Sequence, residues 1–322
     1  MPQTQTLVDI ARLQNPDGSP AKIAEILQDT NPILDDMNWK EGNLDTGHQF
    51  TQRTIGRHGT YTRYNEGVSP SNTVEEQKRA DAARLIDYSE IDCDLAKLGA
   101  GVAHNRFAKA RGKITGMGLT MADTVFYGNS GTNPAEFTGF ANLLDNVNDR
   151  NFIDGGGSGS DNTSVYAIDW GDDCYGIFPK GTTAGLMHED LGRDTKTDPN
   201  GKYYEVYRDR FVWYNGIAVE NPNATGRLAN IDVSDLAGAG TAGYSGPDLI
   251  NLLIELDASF RAGYNPTFYC SLTFLTALSK IATAKNNVEL KFEEFEGKKV
   301  TTFRGRRLVH CDAILNTEAT VS

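Results

Sequence analysis

A long apolar stripe is the clearest pattern of hydrophobic and polar positions in this chain. It predicts a helix of about 30 residues, about 45 Å long at about 1.5 Å per residue. The gaps between its members are mostly three or four residues, which places the side chains on one helix face. Its members are Leu95, Leu98, Val102, Phe107, Ala110, Ile114, Met117, Met121 and Val125. Because glycines interrupt the segment at Gly99, Gly101, Gly112, Gly116 and Gly118, the helix is expected to begin late or to bend.

Further helices and strands follow this segment. Amphipathic patterns predict helices over Pro247–Arg261 and Leu272–Ala284, with Gly246-Pro247 and Thr273 as start signals. Strand patterns cover residues 164–181, 202–221, 227–233 and 288–315. The layout is α+β without internal repeats.

Residues 47–67 have strand-forming side chains but no continuous apolar face. The pattern predicts a hairpin over Gly47–Tyr64, with glycines for the turn in Ile55-Gly-Arg-His-Gly59. Both faces of this hairpin are polar, and a two-stranded hairpin is marginal alone in water. It must therefore gain stability from a partner surface.

The first 45 residues are rich in turn residues and carboxylates. A short amphipathic helix is predicted over residues 20–27. Residues 1–50 hold eight acidic residues against three basic ones. We interpret the segment as an arm that lies on another surface.

Composition excludes several classes of protein. The 322 residues are enough for two domains or one domain with extensions. The formal charge of -12 argues against a protein that grips nucleic-acid phosphates, because such binding needs clustered Lys and Arg. The 33 glycines predict many turns.

The sequence contains no cysteine pattern of a metal site, no signal-peptide pattern and no apolar run of membrane-helix length. The four cysteines are scattered without metal-ligand spacing, so free thiols in a reducing cytoplasm are expected. The N-terminus has neither the basic start nor the apolar run of a signal peptide, and no apolar run is long enough for a membrane helix. Synthesis and residence in the cytoplasm are therefore expected.

Candidate chemistry is sparse. Gly155–Gly159 resembles a phosphate loop, but no Lys-Ser/Thr follows it, so a flexible linker is the better interpretation. Asp172, Asp173 and His188 could be metal ligands, although no second cluster stands at a recognised spacing. No nucleophile motif surrounds any of the five histidines. The sequence shows no set of acid, base or metal-binding residues that would converge on one site. This absence favours a structural role without a cofactor.

Nine short motifs, in order along nearly the whole chain, resemble the major capsid proteins of tailed bacteriophages. They are Gly47-His-Gln-Phe50, Asn65-Glu-Gly-Val-Ser-Pro-Ser71, Asp87-Tyr-Ser-Glu-Ile-Asp92, Thr124-Val-Phe-Tyr-Gly128, Phe137-Thr-Gly139, Asn265-Pro266-Thr267, Phe295-Glu-Gly297, Phe303-Arg-Gly305 and Cys311-Asp-Ala-Ile-Leu-Asn316. The resemblance implies the Hong Kong 97-type capsid fold, with an N-terminal arm, an extended loop, a spine helix with a peripheral sheet, and an axial domain.

By this resemblance the chain divides into five parts. Residues 1–45 would be the arm, 46–90 the extended loop and its return strand, and 91–150 the spine helix and peripheral domain. Residues 151–244 would be a strand-rich peripheral part or insertion, and 245–322 the axial domain with the C-terminal strands. Strand-rich residues 160–235 depart from the type member, and either peripheral strands or an insertion would account for them.

The function implied is self-assembly into pentamers and hexamers of an icosahedral shell that encloses double-stranded DNA without sequence-specific binding. Portal protein, scaffolding protein and decoration proteins are the implied partners, no membrane is involved, and the virion is the implied location after assembly in the host cytoplasm. An encapsulin-like compartment shell is one alternative. A metal-dependent hydrolase that uses Asp172, Asp173 and His188 is another.

Inter-subunit contacts are predicted on the loop and on the arm. The predicted residues are Arg53, Arg57, Arg63 and Tyr61 of the loop, and Asp35, Asp36 and Trp39 of the arm. We hypothesise that the loop arginines meet carboxylates of another subunit. Some capsid proteins of this fold crosslink through a loop lysine, but residues 48–77 contain none, so no isopeptide bond is expected there.

Overall fold

Two β-sheets organise the chain in a computed structural model that describes residues 31–55, 59–69, 74–99, 101–239, 247–284, 290–295 and 298–321. The helices in this part of the chain are α1 (Ile33–Asp36), α2 (Cys93–Ala96), α3 (Val102–Tyr127), α4 (Phe140–Leu143), α5 (Leu249–Ser259) and α6 (Leu272–Ala284). None of them is both long and apolar enough to cross a membrane. The helix predicted over residues 20–27 lies outside the described residues.

The strands among the described residues fall into two groups. The first sheet contains β1 (Trp39–Glu41), β2 (Gly47–Ile55), β3 (Val74–Asp92), β6 (Cys174–Phe178), β7 (Leu186–Thr197) and β8 (Tyr203–Val219). The second contains β4 (Phe152–Asp154), β5 (Asn162–Ile168), β9 (Thr225–Asp232), β10 (Thr267–Cys270), β11 (Leu290–Phe295), β12 (Lys298–Phe303) and β13 (Arg306–His310).

The first sheet is built around β3, a strand of 19 residues. Its order is β1-β6-β8-β3-β2, and β7 also pairs with β8. The first part of β3 pairs with β2, from Gly47 opposite Asp81 onward. The second part pairs with β8, where Leu85 lies opposite Trp213. One continuous strand thus joins a two-stranded hairpin to the body of the sheet.

The second sheet has the order β11-β12-β13-β10-β5-β9-β4, and its central strands β5 and β9 are buried on both faces. Along β5, Val165 and Ala167 face one core, while Tyr166 and Ile168 face another. Successive side chains of a strand point to opposite faces, so an uninterrupted apolar run suits a strand covered on both sides. The first core receives the apolar faces of α5 and α6: Leu249, Leu253, Leu256, Phe274 and Leu278.

The C-terminal half of α3 closes the other core. Met121, Val125 and Phe126 are buried there, and the Phe126 ring lies 5.0 Å from that of Tyr166. The helix begins at Val102 rather than near residue 94, because Gly99 and Gly101 have left-handed backbone angles (φ 64° and 92°) that break a helix. At 26 residues it is about 39 Å long. The late start expected from the glycines is confirmed.

The predicted return of the hairpin after residue 59 is wrong. Residues 59–69 form no strand, and β2 pairs with β3, which begins at Val74. The second half of β3 is held by β8, so β3 offers β2 a partner that is already ordered. A local strand over residues 60–64 would have had no such anchor.

The glycine-rich segment predicted as a flexible linker is fixed to β9. Gly155 N–H donates to Ala229 O at 2.8 Å, and Gly157 N–H donates to Asn230 O at 2.7 Å. A Cβ at position 157 would lie 2.7 Å from the backbone oxygen of Asn230. These glycines therefore allow close approach of two backbones.

The strands of residues 151–244 are divided between both sheets, with β4, β5 and β9 in the second and β6, β7 and β8 in the first. The domain boundaries given above remain a prediction.

Candidate assembly surfaces

The hairpin of β2 and β3 carries polar side chains on both faces. Gln49 Nε2 donates to Gln77 Oε1 at 2.9 Å, and Arg53 Nη2 lies 3.2 Å from Glu75 Oε1. Both members of the ion pair are more than half exposed, so it adds little to stability. Val74, the first residue of β3, is 45% exposed.

The root of the hairpin is fixed by a small polar cluster. The Tyr175 hydroxyl donates to Glu220 Oε1 at 2.5 Å and lies 3.2 Å from His48 Nε2. Gln52 Nε2 donates to the Glu220 carbonyl at 2.6 Å. Burial, and then the hydrogen bond to Glu220, raise the pKa of Tyr175, so its hydroxyl keeps its proton. The direction in which the hairpin leaves the body is therefore set within the subunit.

Residues 59–69, which we call the tip segment, are all exposed. Tyr61 and Tyr64 have relative accessibilities of 105% and 101%, and Val68 is also exposed. The hydrogen bonds within the segment are local: Arg63 N–H donates to Glu66 Oε2 at 3.1 Å, and Glu66 N–H donates to Arg63 O at 3.2 Å. Two aromatic rings and a valine thus stand in solvent in a single subunit.

The N-terminal half of α3 has its polar face turned inward. Arg106 reaches Asp209 of β8 at 2.7 Å, and Lys113 lies 3.0 Å from Asp87 of β3. Lys109 Nζ donates to the backbone oxygen of Glu90. Ion pairs and hydrogen bonds, together with a small apolar cluster in which Val102 packs against Ile91, attach this half of the helix to the first sheet.

The opposite side of the same half is apolar and uncovered. Phe107 is 66% exposed and Ile114 is 39% exposed. Residues seven apart lie on one helix face, so these two form a single strip, continued by the exposed Ala103. We call Ala103, Phe107 and Ile114 the outer strip. The apolar stripe predicted Phe107 and Ile114 on the packed face of the helix, and this is wrong. The regular spacing of Arg106, Lys109 and Lys113 was the signal for a second, inward face.

Asp209 is the centre of the ion network under α3. It is buried, and it accepts from Arg106 and lies 2.9 Å from His188 Nε2. Arg106 also lies 2.6 Å from Asp190 Oδ1. The hydrogen bonds that Arg106 donates to Asp209 and Asp190 raise the pKa of Arg106, and its guanidinium lowers the pKa of Asp190. The helix thus stays cationic where it meets the sheet.

A second network crosses β3, β7 and β8. Glu90 accepts from Arg208 Nε at 2.8 Å and from Lys196 Nζ, and Arg208 also donates to Asp194. Burial raises the pKa of Glu90, but the hydrogen bonds from Lys196 and Arg208 outweigh it, so the pKa is lowered overall. These charges tie together the three long strands that carry the hairpin.

The predicted arm contacts lie against the subunit itself. Asp36 accepts from the Tyr269 hydroxyl at 2.8 Å and from Arg307 Nη1 at 3.0 Å. The Trp39 ring lies 6.4 Å from that of Trp213. Asp35 is exposed. Contacts of these residues with another subunit remain a prediction.

The predicted loop contacts are distributed differently. Arg53 pairs with Glu75 of its own hairpin, Tyr61 and Arg63 lie in the exposed tip segment, and Arg57 lies outside the described residues. Contacts of these loop residues with another subunit remain a prediction.

The candidate metal ligands do not converge. Asp172 pairs with Lys40 at 2.8 Å, Asp173 accepts from the Tyr264 hydroxyl at 2.6 Å, and His188 stacks on Phe211. Within the described ranges no group of three His, Cys, Asp or Glu side chains is placed to hold a metal ion.

Comparisons with known proteins give one family and several structures. Residues 15–322 match the family described as Major capsid protein GP7. A chain of the near-atomic-resolution structure of bacteriophage Epsilon15 is 30% identical, with a TM-score of 0.78 over 100% of this chain and 98% of that one. The bacteriophage JBD30 capsid gives 9% identity and a TM-score of 0.49, over 97% of this chain and 95% of that one.

A more distant likeness is to the SrpI encapsulin complex from Synechococcus elongatus PCC 7942. It has 10% identity and a TM-score of 0.44, over 71% of this chain and 97% of that one. Comparison with curated proteins gave no match.

Proposed function

The chain belongs to the family of the major capsid protein GP7, and we propose that the surfaces it leaves uncovered are the contacts by which its copies build a shell. It is a structural protein of the virion with the Hong Kong 97-type capsid fold. The observation that carries this conclusion is the full-length likeness to the Epsilon15 chain together with the family match over residues 15–322.

The polar faces and the fixed orientation of the hairpin support a role in assembly. A two-stranded ribbon with polar faces is marginal in water, yet this one is oriented by the Tyr175–Glu220 cluster at its root. In the assembled state its tip lies across a neighbouring subunit, where its main chain and side chains find partners. Arg57 and Arg63 then meet carboxylates of that neighbour, and Tyr61 contributes an aromatic contact.

Pentamers and hexamers of the subunit close into an icosahedral shell. We infer that this shell encloses double-stranded DNA without sequence-specific contacts and is assembled in the host cytoplasm with portal and scaffolding proteins, and with decoration proteins on its outside. The formal charge of -12 supports the inference about DNA, because an acidic wall does not adsorb the phosphate backbone.

The two alternative functions gain no comparable support. The family matched is one of capsid proteins, and the encapsulin likeness is too distant to argue from. The hydrolase alternative needs Asp172, Asp173 and His188 in one place, and each has a different neighbour.

Electron microscopy of the purified full-length protein tests the proposal. Closed shells of uniform diameter, alone or after co-expression with the scaffolding protein of the same phage, are expected. Dispersed monomers under both conditions would contradict it. Nuclease-protected double-stranded DNA inside phage-derived particles supports the capsid, whereas an enzyme cargo would indicate a compartment shell.

A further inference from the structure

We propose that Asn200, in the turn between β7 and β8, is a site of spontaneous deamidation. The chain contains two Asn-Gly pairs, Asn200-Gly201 and Asn215-Gly216. Asparagine is among the chemically labile residues of proteins, and it is most labile before glycine, where no side chain hinders attack by the next backbone nitrogen. The structure exposes the first pair and buries the second, so the folded subunit is expected to react at Asn200.

The geometry of the turn explains why a glycine follows Asn200. Asp198 N–H donates to the Lys202 carbonyl oxygen at 2.8 Å, and Gly201 N–H donates to the Asp198 carbonyl oxygen at 3.0 Å. Gly201 has a left-handed backbone conformation, with φ at 80°. A short hairpin loop that ends on a left-handed residue favours glycine at that position. The residue that closes the turn therefore also leaves Asn200 without a bulky neighbour.

The side chain of Asn200 is free to reach its neighbour's backbone nitrogen. Asn200 and Gly201 are both exposed. The backbone N–H of Asn200 donates to Asp198 Oδ1 at 2.9 Å, but its carboxamide has no hydrogen-bond partner among the residues that the structure describes. The hydrogen bond of Gly201 N–H lies in an exposed turn, where local opening costs little free energy. Water therefore reaches both reacting groups.

The second Asn-Gly pair has the same chemistry in the opposite environment. Asn215 is 2% exposed and lies in β8, between β6 and β3. It pairs with Ala83 of β3, and Gly216 pairs with Ala82. A Cβ at Gly216 would lie 2.7 Å from the backbone oxygen of Asp81, so the two strands are in close contact there. Reaction at Asn215 requires β8 to separate from β3, and opening of a central strand costs far more than opening of a turn.

The reaction consumes only water and involves no oxidation or reduction. The backbone nitrogen of Gly201 loses its proton and bonds to Cγ of Asn200, while the side-chain nitrogen leaves as ammonia. A succinimide ring results. Water then adds to either carbonyl carbon of the ring and opens it, which gives aspartate in one case and isoaspartate in the other.

Both products change the turn between β7 and β8. Each adds a negative charge beside Asp198, on a chain that is already acidic. Isoaspartate also lengthens the main chain by one carbon atom, because the peptide bond to Gly201 then starts from the side-chain carbon. The hydrogen bond between Gly201 N–H and the Asp198 carbonyl oxygen depends on the original length of the turn, so isoaspartate should break it.

Peptide mass spectrometry of the full-length wild-type subunit, held for days in mildly alkaline buffer, tests the proposal. We expect the peptide that contains Asn200 to be deamidated many-fold faster than the peptide that contains Asn215. Aspartate and isoaspartate should both form, and chromatography separates them. Equal rates at the two positions in the folded subunit, or an unmodified Asn200, would overturn the proposal. Aspartate as the sole product would also overturn it, because direct hydrolysis of the side chain gives no isoaspartate.

Two controls separate the effect of the fold from that of the local sequence. In denaturant both Asn-Gly pairs are exposed, so their rates should become similar; an undiminished difference would show that burial does not protect Asn215. Asn200→Gln keeps the carboxamide but closes a ring much more slowly, so position 200 should stay unmodified over the same period. Deamidation of this variant at the wild-type rate would contradict the succinimide route. All these measurements use unassembled subunits, so their outcome is independent of shell formation.

Discussion

Arg227 of β9 and Glu318 of the C-terminal segment form a buried ion pair, with 2.9 Å between Nη2 and Oε2. Glu318 also accepts from the Tyr127 hydroxyl at 2.5 Å and from Ser164. Tyr127 is the last residue of α3 and Ser164 lies in β5. One carboxylate therefore joins the long helix, the second sheet and the C-terminal segment.

Removal of one partner of this pair should destabilise the subunit strongly. Glu318→Leu leaves the Arg227 guanidinium buried without its counter-charge, and such a change costs about 3–5 kcal/mol. Chemical denaturation of unassembled subunits measures it. The double variant with Arg227→Met should lose less than the single variant, because no charge stays unpaired. A single variant as stable as wild type would show that the pair contributes nothing.

The sequence predicted those elements that local patterns determine. Helix α6 has the bounds expected from its amphipathic pattern, Leu272–Ala284, because its apolar face is contained in the segment itself. The predicted start signal, Thr273, is wrong: it lies within the helix, and Ser271 Oγ accepts from Phe274 N–H instead. The C-terminal half of α3 was predicted for the same reason. The strand that pairs with β2 was not predicted. β2 pairs with β3, which begins at Val74, and not with residues near 60, because β3 is anchored by β8.

The candidate site was harder to predict. The inward face of α3 is decided by pairs such as Arg106 with Asp209, about a hundred residues apart in sequence, so the helical period alone could not distinguish the packed side from the exposed one. The partners of Arg57, Arg63 and Tyr61 lie on another copy in our proposal. Neither the sequence nor one subunit identifies them.

The ionic attachment of α3 should be measurable by substitution. Arg106→Met leaves the buried Asp209 without its main partner, which should cost about 1–3 kcal/mol and speed hydrogen exchange at the start of α3. Lys97→Met is the control, because its pair with Asp94 is largely exposed and should give no measurable change. Equal exchange rates in the two variants would contradict the assignment.

Replacement of Gly116 and of Gly139 by alanine should change the stability of the subunit in opposite directions. A Cβ at Gly116 meets no atom within 4 Å, so Gly116→Ala should stabilise the subunit by about 0.5–1 kcal/mol through helix propensity. A Cβ at Gly139 would lie 2.6 Å from the Thr124 carbonyl oxygen. Because that neighbour is backbone, Gly139→Ala should destabilise by more than this gain. Thermal unfolding of both variants checks the sign, and a destabilising Gly116→Ala would mean that the helix needs flexibility there.

Charge reversal in the extended loop should block assembly without unfolding the subunit. Arg57→Glu with Arg63→Glu replaces the proposed attraction to a neighbour's carboxylates by repulsion, so soluble subunits and few particles are expected by size exclusion and electron microscopy. Lys202→Glu is the matched control, since it reverses an exposed charge on the turn between β7 and β8. Normal particles from the double variant would refute the role of these arginines.

The shell should be held without covalent links through the loop. Residues 48–77 contain no lysine, so the amine needed for an isopeptide bond is absent from that part of the extended loop. Purified particles boiled in denaturant and reducing agent should run as monomers on a gel. The first lysine beyond this stretch is Lys78 in β3, and Lys78→Arg, which keeps the charge but removes the amine, serves as the control. A ladder of multimers in wild-type particles would contradict the prediction, and its loss in Lys78→Arg would assign the link to that residue.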